Sequence, residues 1–241
     1  MRRNHVLRLA VALAAALTLA ASGTLQAAEH GGGGHHGAAG VPAPEAIKML
    51  KAGNARFVAG KPQCPNPDST PKAREALTTG QKPFAVILTC SDSRVAPEEI
   101  FDQGLGKLFV VRVAGNLIDP ALLGSIEYAV LHCGSRLVVV MGHESCGAIT
   151  ATAGALAEPG KPAESPNIAD LVTRLTPAVK KAQEKGLTGK PLIEEAAAVN
   201  AQMVSAQICA QSPALNELVK KGEIKIVPAK YMLGSGKVEG L

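Results

Sequence analysis

Two short apolar runs, each ending in reactive side chains, constrain the fold of this chain more than anything else in it. Phe84–Thr89 (FAVILT) leads without interruption into Cys90-Ser91-Asp92-Ser93-Arg94. Leu137–Gly142 (LVVVMG) leads into His143-Glu144-Ser145-Cys146-Gly147. A continuous apolar run of this length reads as a strand buried on both faces of a parallel sheet. Open α/β sheets place their ligands beyond the carboxyl ends of such strands. If the two strands are neighbours, Cys90, His143 and Cys146 meet at one sheet edge.

The intervening sequence supports that architecture. Pro44–Gly60 has apolar residues at helical spacing. Lys61–Pro71 is a proline-rich loop, and Lys72–Thr79 is predicted as a short helix. Leu108–Val113 is a second strand. Pro120 to about Cys133 is a helix stopped by Gly134. Helices are expected over Cys146–Leu156, Asn167–Lys185, Pro191–Gln211 and Pro213–Lys221, with a fourth strand at Glu223–Pro228 and a tail from Tyr231. Strands alternating with helices predict an α/β fold: a small parallel sheet core flanked by helices, with an N-terminal helical arm.

The N-terminus has the form of a secretion signal. Arg2, Arg3 and Arg8 precede or open a largely apolar stretch, Leu9–Ala21, of 13 residues, too short to span a bilayer. The division expected is a signal peptide at 1–28, a Gly/His-rich linker at 29–42 and a catalytic domain at 43–241. The mature protein would then be periplasmic or secreted, with no membrane segment after signal removal. Loss of a leader with three arginines and no acid lowers the formal +5 to about +2, and no basic stripe suggests a nucleic-acid partner. His30, His35 and His36 in the linker are read as solvated rather than metal-binding. Of the five cysteines, Cys133 is expected to be a core thiol, and Cys64 and Cys209 are a possible disulfide in an oxidising compartment.

Two thiolates and an imidazole form a donor set that suits Zn²⁺, and three protein ligands leave a fourth position open, as in catalytic zinc sites. Zinc lowers the pKa of bound water from about 15.7 toward about 7. Asp92 is close enough in sequence to Cys90 to reach the metal or its water, and Arg94 can hold Asp92 in a forked contact. Unpinned, Asp92 could take the open position itself. Each residue alone is more simply a core thiol, a core histidine or part of a structural ion pair; the constellation favours a site.

The motifs CSDSR (Cys90–Arg94), GHESCGAI (Gly142–Ile149), FVVRVAGN (Phe109–Asn116) and EYAV (Glu127–Val130) make the sequence resemble the β-class carbonic anhydrases. The tail from Tyr231 is a weaker match. The resemblance covers roughly Pro44 to Leu241. It implies reversible hydration of CO₂ to bicarbonate and a proton, with Zn²⁺ on Cys90, His143 and Cys146 and either water or Asp92 in the fourth place. It further implies a substrate pocket of Gln81, Phe109 and Tyr128, contributed partly across a dimer interface, with the Gly147 N–H near the substrate. For Phe109 and Tyr128, ordinary core packing is the alternative. Ile87 stands where relatives with a bicarbonate-sensing pocket carry Trp, so the resemblance is to the plant-type, open pocket. Val113, Met232 and an apparent insertion at Pro159–Pro166 depart from the family pattern. A homodimer or higher homo-oligomer is implied. The competing functions are a COS/CS₂ hydrolase on the same fold and a non-catalytic exported zinc-binding protein.

Overall fold

The computed structural model describes residues 40–63, 69–160 and 162–241. The leader, most of the linker and Cys64 lie outside them. A five-stranded sheet has the order β2-β1-β3-β4-β5. Its strands are β1 (Ala85–Thr89), β2 (Leu108–Arg112), β3 (Leu137–His143), β4 (Lys225–Tyr231) and β5 (Val238–Glu239). Every residue of β1 and β3 is buried, which is why both read as unbroken apolar runs. They are parallel neighbours, with Thr89 opposite Met141, so both expected site loops leave the same sheet edge.

Helices α1 (Ala43–Val58) and α3 (Pro97–Ile100) lie on one face, where Ala46, Leu50 and Phe101 pack on Ile87, Val139 and Met141. On the other face, α4 (Pro120–Leu131), α7 (Gly189–Gln211) and α8 (Pro213–Lys220) cover Val86, Leu88, Val138 and Val140. The side-chain alternation of the strands divides the two cores. A third cluster, drawn from α5 (Gly147–Ala157), α6 (Pro166–Gln183) and the start of α7, packs around Cys90 and Cys146. A short α2 (Pro71–Ala76) ends in a 3₁₀ turn. Four helices begin with a capping side chain followed by proline: Thr70-Pro71, Asp119-Pro120, Ser165-Pro166 and Ser212-Pro213. The side chain accepts an otherwise orphaned N–H, and proline occupies a position that needs no donor.

The expected parallel core is present across β2, β1, β3 and β4. The tail from Tyr231 adds an antiparallel β5 on the β4 edge. β4 continues through Pro228 to Tyr231; β5 pairs only with Lys230 and Tyr231, so nothing on the outer side asks Pro228 for a donor. Cys133 is half-buried just past α4 rather than in the core, and its partial burial raises its pKa. Cys209 is a free, half-buried thiol on α7. Among the described residues, no helix is long and apolar enough to cross a membrane.

Candidate metal centre

Cys90 is the first residue after β1, His143 the last of β3, and Cys146 caps the start of α5. All three are buried, at 5%, 0% and 1% exposure. Their ligating atoms lie within 4.8 Å of one another. That is close to the roughly 4.6 Å that two bonds of about 2.3 Å to one ion can span.

His143 supplies the test of fit. Its Nδ1 lies 2.9 Å from the Glu144 carbonyl oxygen. A carbonyl can only accept, so Nδ1 carries the proton and Nε2 presents a lone pair. That Nε2 is buried without a hydrogen-bond partner. A buried orphan acceptor is costly unless something fills its place. A ligating histidine with its other nitrogen tied to a carbonyl is the usual arrangement at a metal.

The two thiols behave as one pair. The hydrogen bond from Cys146, aided by the N–H groups of Gly115 and Asp92, holds the Cys90 pKa below its ordinary value against its burial. The same contact and burial push Cys146 up. A second thiolate buried beside the first is unfavourable unless a cation neutralises the pair. The Gly115 N–H donates to Cys90 Sγ at 3.4 Å, and the Asn200 side chain holds the Gly115 carbonyl at 2.8 Å.

Asp92 remains outside the three-atom cluster. Arg94 Nε and Nη2 donate to its two oxygens at 2.9 and 2.8 Å, and the Arg94 N–H donates at 3.0 Å. Hydrogen bonding from Arg94 holds the Asp92 carboxyl well below the usual carboxylate range, against a partial desolvation penalty. Asp92 Oδ2 is 3.9 Å from His143 Nε2. Arg94 Nη2 also donates to the Ser145 carbonyl at 3.2 Å, which ties one ligand loop to the other.

Sequence reasoning assigned no role to Arg112. Its Nε donates to the Cys90 carbonyl at 3.1 Å and its Nη2 to the Asp92 carbonyl at 2.7 Å, so the end of β2 fastens the Cys90 loop. Its register opposite Thr89, the last residue before that loop, is the signal that could have found it. Gly147 is the first residue of α5, beside Cys146. The remaining pocket candidates lie elsewhere in the chain. Phe109 is three residues, about 10 Å of strand, before Arg112. It packs in the cluster under α4 and α8, not the one around Cys90 and Cys146. Tyr128 is 51% exposed, its ring 6.3 Å from that of Phe109, and Gln81 is exposed before β1.

The family model described as carbonic anhydrase matches residues 85–238, which include all three candidate ligands. A carbonic anhydrase of Mycolicibacterium smegmatis is 45% identical over 194 residues, spanning 80% of this chain and 91% of the relative. Carbonic anhydrase 2 of Mycobacterium tuberculosis is 44% identical over 192 residues, spanning 80% and 89%. Among solved structures, the β-carbonic anhydrase CcaA superposes with a TM-score of 0.63 at 27% identity, covering 80% of this chain and 86% of that one. A β-carbonic anhydrase of Sordaria macrospora, at 23% identity and a TM-score of 0.62, shares the fold. With the buried Cys-His-Cys cluster at the ends of paired parallel strands, these likenesses identify the chain as a member of the β-carbonic anhydrase family and an enzyme of carbonic anhydrase type.

Proposed function

We propose that this chain is an exported, zinc-dependent carbonic anhydrase that interconverts CO₂ and bicarbonate, with Asp92 and Arg94 as its orienting pair. The observation that carries the reading is the orphaned Nε2 of His143, facing two buried thiols, with a pinned carboxylate 3.9 Å away. Cys90, His143 and Cys146 would hold the ion. When bound, Zn²⁺ would supply a nucleophilic water oxygen at neutral pH by lowering the pKa of water.

The chain's own residues do the rest. Asp92 stays ionised across the working pH range, so it accepts hydrogen bonds and does not donate them. It can accept a hydrogen bond from the attacking water and so aim the lone pair at the substrate carbon. Arg94 engages both Asp92 oxygens, which keeps that carboxylate off the metal position. The Gly147 N–H opens α5, where the positive end of the helix favours the oxygen that gains charge.

Gln81, Phe109 and Tyr128 are assigned to the substrate wall of a second subunit's site. The exposure of Tyr128 and the packing of Phe109 away from its own chain's cluster support that placement. A homodimer is then the smallest complete enzyme. Export to the periplasm or medium rests on the leader-like residues 1–28, and cell fractionation with N-terminal sequencing tests it.

The functional test is stopped-flow hydration of CO₂ by zinc-loaded and metal-stripped protein, with COS and CS₂ run alongside. Zinc-dependent turnover of CO₂ well above the other two is the expected result. Preference for COS or CS₂ would reassign the substrate. Zinc binding without turnover of any of the three would make the protein a metal binder rather than an enzyme.

A further inference from the structure

We infer that Glu194 is a positioning residue for the Asp92–Arg94 pair, acting through the Ser145 backbone and anchored by Lys230. The inference rests on the orienting role proposed above for that pair.

Ser145 lies between two metal-ligand candidates, His143 and Cys146, in the left-handed region at φ 53°. A non-glycine residue holds that conformation only where its surroundings over-determine it. Two contacts do so here. The Ser145 N–H donates to Glu194 Oε1 at 2.9 Å, and the Ser145 carbonyl accepts from Arg94 Nη2 at 3.2 Å. One peptide unit on each side of Ser145 is thus gripped, by α7 on one side and by the Asp92–Arg94 pair on the other.

Glu194 is itself restrained. Lys230 of β4 forms an ion pair with Glu194 Oε2 and donates to the Glu194 carbonyl at 3.2 Å. The side chains of Lys230 and Glu194 are only 16% and 18% exposed. Lys230 sits opposite Gly142, one residue before His143, so its strand moves with the ligand strand. The contacts run in series from β4 through α7 and the Ser145 loop to the Arg94 guanidinium. Arg94 is otherwise 52% exposed, and among the described residues Asp92 is its only side-chain hydrogen-bond partner. Releasing Ser145 removes the contact that fixes the Arg94 guanidinium from the far side. A loosened Arg94 leaves Asp92 free to cross 3.9 Å toward His143 Nε2.

The test uses the zinc-loaded chain with Glu194→Ala, Glu194→Gln and Arg94→Ala. Glu194→Ala should keep its zinc while amide exchange at Ser145 rises about 10–100-fold, the value of a charge-assisted hydrogen bond. The Arg94 Nε–H NMR signal should exchange faster in step, and kcat should fall about 10–100-fold with KM little changed. Glu194→Gln retains an acceptor for Ser145 but loses the Lys230 ion pair, so it should fall between wild type and Glu194→Ala on all three readouts. Unchanged Ser145 exchange, or faster exchange with the Arg94 signal and kcat unmoved, would overturn the inference. If Arg94→Ala itself leaves kcat intact, the parent reading of the pair fails instead. Should Glu194→Ala not fold, Lys230→Gln frees the Glu194 carboxylate without removing it, and the same three readouts must move in the same direction.

Discussion

Asp92 receives three hydrogen bonds from one residue, Arg94, and its neighbours decide its chemistry. Replacing it with Asn keeps the shape but places an amide where an acceptor-only group is needed. Asp92→Asn should retain full zinc by metal analysis while stopped-flow turnover falls about 10²-fold, the cost of a misoriented nucleophile. Unchanged turnover would remove Asp92 from the mechanism. The pH dependence has a definite sign. The folded Asp92 pKa is depressed, so the stabilisation from pairing is fully present above the unfolded value of about 3.9 and is lost as pH falls through the folded value. The difference in urea midpoint between wild type and Asp92→Asn should be constant from pH 5 to 8 and shrink below about pH 4. A difference that vanishes near neutrality would contradict the pairing. At this scale, Cys90, His143, Cys146, Asp92 and Arg94 were legible because each sits within five residues of a strand end that hydrophobicity alone marks. Arg112 and Glu194 were not, because their partners are backbone atoms brought near by folding, 20 to 49 residues away.

At the scale of elements, the N-terminal helix and the C-terminal tail are fastened together by Asn54. Its Nδ2 donates to the Ile100 carbonyl at 3.1 Å and the Gly236 carbonyl at 2.8 Å, and its Oδ1 accepts from the Val238 N–H at 3.0 Å. One buried amide thus joins α1, α3 and the approach to β5. Asn54→Ala should cost about 2–3 kcal/mol in denaturant unfolding, because three backbone groups lose their partner. A cost within about 0.5 kcal/mol, as at an ordinary surface site, would show that the tail is held some other way. Gly53 beside it has a steric reason, since a Cβ there would lie 1.7 Å from the Phe101 carbonyl oxygen. The strands and helices were readable from apolar runs and from cap-plus-proline pairs. β5 was not, because a two-residue strand has no periodicity and forms only once β4 offers its edge.

Across the whole molecule, one apolar helix surface is left uncovered by the described residues. Tyr128 and Leu131, on the same helix, are 51% and 46% exposed, and the Tyr128 ring stacks toward Phe109 and His132. If this surface closes a second subunit's pocket, Tyr128→Glu should weaken dimerisation about 10–30-fold by sedimentation, as for an aromatic anchor, and reduce turnover while zinc stays bound. A variant that stays dimeric with full turnover would place the interface elsewhere. Such a surface is hard to see in sequence, because an exposed Tyr and a buried one occupy the same apolar helix pattern. In the proposed site, two thiolates and one imidazole hold a single ion beside a restrained carboxylate. X-ray absorption at the zinc edge of the purified protein tests it most directly. The expected shell has two sulfur neighbours at about 2.3 Å, one imidazole nitrogen at about 2.0–2.1 Å and one further light atom. A shell without sulfur, or with four sulfurs, would contradict it.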